Sequence, residues 1–324
     1  MRLTDEQIKS VTLGALETYK DCDGILRFKR MTDTQAEEFI RENVDFAEKT
    51  ASTACVRLDF YTNSDYVDFK FAGLKSGSSR KFYSLDMYVN GNMRVSFRQD
   101  SYDITEGHLY AKLEEGENRI QIFLPSIAIG GVEYVEIADG ATLTPAVPKF
   151  SMLMLGDSIT QGYDAKFTSL NYANATARML DAEVVNQAIG GAMFYKEQLE
   201  YTGKYDVITV AYGTNDWSKK ESREELTRDC DAYFEKLSKL YPDAKKFAIL
   251  PIYRGNLGIK PTGDFYECRE VVGECAKKHG IIPLDSIDYV GHDEIYFADK
   301  HLHPNDIGFA TYAQKLVDDL KKYI

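Results

Sequence analysis

The sequence predicts an α/β fold in two parts, an antiparallel β-sandwich followed by a parallel sheet with helices on both faces. After Pro148, strand-like apolar runs alternate with helix-length amphipathic segments, the signature of a parallel sheet covered by helices. Before it, short β-branched and aromatic runs follow one another with turn signals between them. The join is marked by TPAVP within residues 142–148, rich in proline and small residues, so the expected domains are 1–145 and 146–324.

The first part opens on a short helix in which Thr4 and Gln7 match a capping box. Strands are expected at 56–61, 66–71, 82–89, 93–98, 119–124 and 132–137. Asn90-Gly91 between two of them is the strongest hairpin signal in the chain. Tyr61, Tyr66, Phe69 and Phe71 are assigned mostly to the sandwich core, because inward and outward residues alternate along a strand.

In the second part, strands are expected at 150–155, 183–186, 206–212, 247–252 and 281–284, and helices at 169–180, 222–240, 264–279 and 305–323. The helix over 222–240 is the clearest, with Leu226, Cys230, Tyr233, Phe234, Leu237 and Leu240 on one stripe.

Composition narrows the function. The 324 residues suffice for two domains, and 44% hydrophobic content is ordinary for a globular protein. A net charge of −12 disfavours nucleic acid and anionic membrane surfaces, which need clustered Lys and Arg; Lys245-Lys246 and Lys321-Lys322 read as solvated helix ends. No apolar segment follows the first charges of MRLTDEQIKS, and no run approaches a membrane span. Five cysteines, an odd and scattered set, read as reduced thiols, so a cytoplasmic location is expected.

Four segments carry chemistry. LMLGDSITQG, residues 153–162, sets Ser158 just past the first parallel strand, at the sheet rim where ligands bind in such folds. Gly-Asp-Ser also makes ordinary turns and caps, so it does not decide alone. VVNQAIGG, 184–191, ends in a glycine pair where a backbone amide can approach a ligand. AYGTNDW, 211–217, offers the Asn215 amide to a developing oxyanion, and DKHLHPNDIG, 299–308, supplies His303 and an acid.

This ordered set resembles the SGNH, or GDSL-type, hydrolase family over about residues 148–324. The resemblance implies a flavodoxin-like parallel sheet, with Ser158 as nucleophile and His303 as general base. It implies an oxyanion hole formed by the Ser158 amide, the Gly191 amide and the Asn215 side chain, with Asp157 as a framework residue. The chemistry needs these groups together: a serine hydroxyl is a weak nucleophile until a base accepts its proton, and fixed donors stabilise the tetrahedral oxyanion. No cofactor or metal is implied, and His301 with His303 lacks the further ligands of a metal site.

One position departs from the family pattern. The aspartate usual three residues before the histidine is replaced by Lys300, and Asp299 lies one residue earlier. A bulged loop in which Asp299 completes a triad is the expectation, and a Ser-His dyad oriented by a backbone carbonyl is the alternative. Trp217 and Arg254 sit at the same predicted rim and are expected as substrate contacts, with a core aromatic and a surface arginine as the plain alternatives. His301 is expected on a surface loop, and His108, His279 and His292 as polar or capping residues.

An amino-terminal sandwich, jelly-roll-like, fused to an SGNH domain resembles the two-domain carbohydrate esterases that deacetylate plant polysaccharides. The resemblance implies a serine esterase acting on the O-acetyl groups of an oligosaccharide. The alternatives are an acylhydrolase for another small ester and a carbohydrate-binding protein with an inactive hydrolase domain. Oligomeric state leaves no mark in the sequence.

Overall fold

Period-two alternation with turn residues builds the first half; period-3.6 helices between apolar strands build the second. The computed structural model describes residues 1–80, 82–100 and 106–324, with the backbone alone at 73–76. In chain order the first half contains α1 (Asp5–Ser10), β1 (Thr12–Leu13), β2 (Glu17–Lys20), β3 (Leu26–Lys29), α2 (Asp33–Glu42), α3 (Phe46–Thr50), β4 (Arg57–Thr62), β5 (Tyr66–Ser76), β6 (Tyr83–Val89), β7 (Asn92–Gln99), β8 (Glu106–Lys112), β9 (Asn118–Phe123), β10 (Ala128–Ile137) and β11 (Thr144–Pro145). One sheet runs β1-β4-β9-β6-β7 with β11 on β4, and the other β2-β3-β10-β5-β8. Their inner faces share a core that includes Leu58, Phe60, Val67, Phe69, Leu85 and Ile122. Asn90 and Gly91 both have positive φ and join β6 to β7 with Val89 opposite Asn92, the two-residue turn the sequence predicts.

The second half contains β12 (Phe150–Gly156), α4 (Ser158–Gln161), α5 (Tyr172–Leu180), β13 (Ala182–Asn186), β14 (Val207–Ala211), α6 (Thr214–Lys219), α7 (Arg223–Leu240), β15 (Lys245–Ile249), α8 (Phe265–Lys278), β16 (Ile282–Leu284) and α9 (Asp306–Leu320). All five strands are parallel, in the order β13-β12-β14-β15-β16. Alternate residues divide between the faces. Met152 and Met154 join α5 and α9 in one core, while Leu153 and Leu155 join α7 and α8 in the other. Phe194 lies 5.4 Å, centroid to centroid, from each of Tyr212, Tyr233 and Phe234, edge-on, contacts worth about 0.5–1.5 kcal/mol each beyond burial. Strand order reverses at β12, which has β13 on one side and β14 on the other. Open α/β sheets bind ligands at such a reversal, outside the carboxyl ends of the strands.

Several features depart from the sequence expectation. β2 and β3, α2, α3 and β8 have no counterpart among the expected elements. In β8 only Gly107, Leu109 and Ala111 face inward, so its alternation is nearly silent in hydrophobicity. Phe39 of α2 and Phe46 of α3 pack into the core of the parallel sheet with Leu153, Ile208 and Trp217, although in sequence they lie between sandwich strands β3 and β4. Phe69 and Phe71 are buried as expected, whereas Tyr61 and Tyr66 are only half-buried; Tyr66 stacks on Tyr110 at 6.0 Å.

The two halves meet through hydrogen bonds between buried polar groups. Asp86 accepts from Ser169 N–H (2.8 Å), Thr168 N–H donates to Ser84 Oγ (2.6 Å), and Asn171 Nδ2 donates to Ser126 Oγ (2.8 Å). Arg57 Nη2 donates to Ala182 O (2.8 Å), and Arg119 bridges Asp59 (2.8 Å) to Asp181 (2.7 Å). Buried polar groups demand such partners, so the interface tolerates few alternative dockings.

Candidate active site

Ser158 stands at the reversal point because β12 ends in a constriction. A Cβ on Gly156 would lie 2.2 Å from Thr160 Oγ1 and 3.1 Å from Ala211 O, so only glycine lets the chain pass and turn into α4. Asp157 caps that helix, accepting from Ile159 N–H at 3.0 Å. Burial pushes the Asp157 carboxyl up to about 6 against the pull of that hydrogen bond and the charges of His303, Lys219 and Arg254. Ser158 is itself only 7% exposed.

Ser158 Oγ lies 2.9 Å from His303 Nε2, and His303 Nδ1 lies 2.7 Å from Asp299 Oδ2. With Nδ1–H donated to Asp299, Nε2 presents its lone pair to the serine hydroxyl. The additional residue is absorbed by a local bend. Lys300 takes a left-handed φ of 69°, and the other Asp299 oxygen accepts from the N–H groups of His301 (3.1 Å), Leu302 (2.8 Å) and His303 (3.0 Å). Burial opposes ionisation of Asp299, but the His303 contact and these three backbone donors outweigh it and hold the carboxyl well below the ordinary range. The loop closes where Ala298 N–H donates to His303 O at 2.8 Å.

The segments after β12, β13 and β14 bring further N–H donors to the same end of the sheet. Ser158 is the first residue of α4, so its N–H has no intrahelical acceptor. Gly191 takes φ +95°, a conformation glycine alone adopts freely, and its N–H has no acceptor among the described residues. Asn215, on the first turn of α6, directs Nδ2 to Ala192 O at 3.1 Å and, at a long 3.4 Å, to Asp157 Oδ2.

The antiparallel half adds groups that no local motif announces. Arg80, beyond β5, forks onto Asp164 with Nε–Oδ1 3.0 Å and Nη2–Oδ2 2.5 Å, and lies over the Tyr163 ring at 4.9 Å. Its Nη2 is 3.3 Å from His303 Nδ1; both are donors in the tautomer above, so that approach is electrostatic. Tyr163 stacks on the imidazole at 5.9 Å, and Asp164 Oδ2 lies 3.6 Å from Nδ1. Asp164, Asp299 and His303 form the one cluster of metal-capable donors among the described residues. The Arg80 fork already supplies the cation that Asp164 requires.

Two expected contacts are corrected. Trp217 is fully buried, packs edge-on against Phe265 at 5.3 Å and donates Nε1–H to Gly263 O at 3.1 Å, so it anchors α6 instead of lining a cleft. Arg254 is 6% exposed, with its guanidinium on Thr214 Oγ1 (2.9 Å), Asn256 Oδ1 (2.8 Å) and the Trp217 face (4.8 Å). It braces α6, and through it Asn215, from behind. His301 turns away from Ser158 onto Asp299 O at 2.7 Å. His108 and His279 pair with Asp68 and Asp231, and His292 stacks on Tyr253 at 4.1 Å.

Two surface grooves lie near these residues. One, of about 670 Å³, lies between α3 and residues 77–79, the segments that precede or deliver Lys49 and Arg80. The other, of about 420 Å³, is lined by Tyr253, Asn256, Asp293, Asp299 and His301. A cavity of about 650 Å³ lined by Phe150, Asp206, Tyr241 and Lys245 lies at the amino ends of the parallel strands, the wrong end of the sheet for this chemistry.

A reversal-point serine joined to a histidine and a carboxylate, beneath a sandwich, defines an α/β protein of the SGNH type. Residues 154–310 match the GDSL-like lipase/acylhydrolase family model. No curated protein matches the chain. Among solved structures, it is similar to the salicylyl-acyltransferase SsfX3 from a tetracycline biosynthetic pathway, at 20% identity over 96% of this chain and 94% of that one, TM-score 0.78. A family two carbohydrate esterase from Cellvibrio japonicus matches at 17% identity over 99% and 96%, TM-score 0.64. Another from Clostridium thermocellum, solved with cellohexaose, matches at 16% over 84% and 93%, TM-score 0.60. These likenesses establish a shared fold; the two halves are built together in all three.

Proposed function

We propose that the protein is a serine esterase that removes small acyl groups, O-acetyl above all, from a carbohydrate. The observation that carries the reading is the continuous chain Ser158 Oγ to His303 Nε2 at 2.9 Å and His303 Nδ1 to Asp299 at 2.7 Å. His303 takes the serine proton as Ser158 attacks the ester carbonyl, and Asp299 holds the imidazole and steadies its cation. The Ser158 and Gly191 amides and Asn215 Nδ2 receive the oxyanion. His303 then protonates the leaving alcohol, and water attacks the acyl-enzyme by the same route reversed. The surface grooves suit a polar alcohol, and the shared architecture with family two carbohydrate esterases supports a sugar.

A second reading has its own support. The neighbour of TM-score 0.78 is an acyltransferase, so an alcohol could replace water in the second step. Acetate release from acetylated xylo- and manno-oligosaccharides, run beside acetyl, butyryl and octanoyl nitrophenyl esters, tests the first reading, with Ser158→Ala losing at least about 10⁴-fold. Activity confined to nitrophenyl esters would remove the carbohydrate. Ester products formed with added alcohol in place of free acid would favour transfer.

A further inference from the structure

Lys49, at the carboxyl end of α3, reaches across to the Gly190–Gly191 loop and donates from Nζ to Gly190 O at 2.7 Å, 141 positions along the chain. Gly190 O and Gly191 N–H belong to one peptide plane and point in opposite directions. A donor that fixes the carbonyl therefore fixes the N–H, and a cationic donor polarises the whole unit. We propose that Lys49 is a positioning residue for the oxyanion hole, setting and strengthening the Gly191 N–H through that shared peptide. The inference rests on the reading of Gly191 as an oxyanion donor given above.

Three observations support it. The ammonium is half-buried, its basicity lowered by burial, and among the described residues no carboxylate lies within ion-pair distance; it also lies over the Phe46 ring at 4.8 Å. An ammonium is a costly choice where a neutral donor would anchor a carbonyl, unless its charge acts through the bond. The preceding peptide is held too: Gly190 N–H donates to Gln161 Oε1 at 2.7 Å, from the helix that Ser158 begins. Gln161 Nε2 in turn donates to Ser52 Oγ at 2.9 Å, and Arg30, fully buried, donates to Lys49 O at 2.9 Å and to Ser52 O at 2.6 Å. Serine helix, glycine loop and α3 thus form one hydrogen-bonded unit. The Gly191 carbonyl is held by a second ammonium, Lys219 Nζ, at 2.9 Å.

The test compares Lys49→Met and Lys49→Arg with wild type and Ser158→Ala, using acetyl nitrophenyl ester and a trifluoromethyl ketone that forms a hemiketal oxyanion on serine. Lys49→Met should lower kcat about 10-fold with KM within about twofold, and raise the ketone Ki in parallel, with the thermal midpoint little changed; Lys49→Arg should recover most of the loss. Lys49→Gln replaces the Met variant if the latter does not fold. A Met or Gln variant whose kcat and Ki stay within twofold of wild type overturns the proposal, as does a loss in which kcat, KM and thermal midpoint move together. If Ser158→Ala stays active, the site reading itself fails. If it is inactive while Lys49→Met is normal, only the role of Lys49 falls.

Discussion

In the parallel-sheet half, Ser158, Asn215 and His303 sit within three residues of the end of an element. Ser158 follows β12, Asn215 opens α6 after β14, and His303 precedes α9. In the antiparallel half, Lys49 and Arg80 reach partners 141 and 84 positions away, and nothing in their neighbourhoods marks them. The first kind of placement is local: strand, turn and cap residues bring the side chain to the rim whatever the other half does. The second exists only once two cores have docked. On the proposed reading the parallel half carries the reacting side chains, and contacts from the other half align them.

Asp299 gives the largest test of that division. If the parallel half orients its own base, Asp299→Asn should cost about 10²–10³ in kcat, less than the roughly 10⁴ of a triad without other support, because Tyr163 still packs on the imidazole. Stopped-flow acylation with a nitrophenyl ester reads this directly. A loss below about fivefold, with a larger one in Asp164→Asn, would make Asp164, the carboxylate that Arg80 of the other half forks onto, the orienting group.

A smaller effect is expected from Arg80. Arg80→Met leaves Asp164 without its cation 3.6 Å from His303 Nδ1, where it competes with Asp299 for the ring proton. Turnover should fall about 10-fold. Arg80→Met/Asp164→Asn should recover part of it, a coupling that a double-mutant cycle on kcat resolves. Additive losses would mean that the pair merely ties the halves together.

The same contrast explains what was legible in the sequence. The strands and helices of the parallel half fall within a few residues of expectation, since Val207–Ala211 and Arg223–Leu240 carry their own period. Ser158, Gly191, Asn215 and His303 can be picked out because each lies in a recognisable motif, and Ser158 meets His303. The Asp299–His303 contact through a bulged loop is the sequence expectation; what the sequence does not mark is the left-handed Lys300 that makes the bend. Trp217 and Arg254 are expected at this rim but are buried there, the indole by α8 and the 262–263 turn, the guanidinium by Thr214, Asn256 and the Trp217 face. α2 was missed although Thr32 and Gln35 form a capping box, as its apolar stripe is thin and its core partners lie in the other half.

The smallest effect expected concerns Asp157, which sits beneath the serine in the parallel half and is set by burial where Arg80 and Asp164 are set by charge. Its carboxyl is raised to about 6 in the folded protein, above roughly 3.9 in an unfolded chain. Between those values the native state binds the proton and the unfolded state has released it, so stability falls as pH rises from about 4 to about 6 and then levels, by on the order of 2–3 kcal/mol. Asp157→Asn keeps an oxygen for Ile159 N–H and carries no charge at any pH. Its urea midpoint should match wild type near pH 4 and exceed it by pH 7. Parallel curves would mean that the nearby cations Lys219 and Arg254 keep Asp157 ionised throughout, and charge would then govern the centre of the site as it governs the interface.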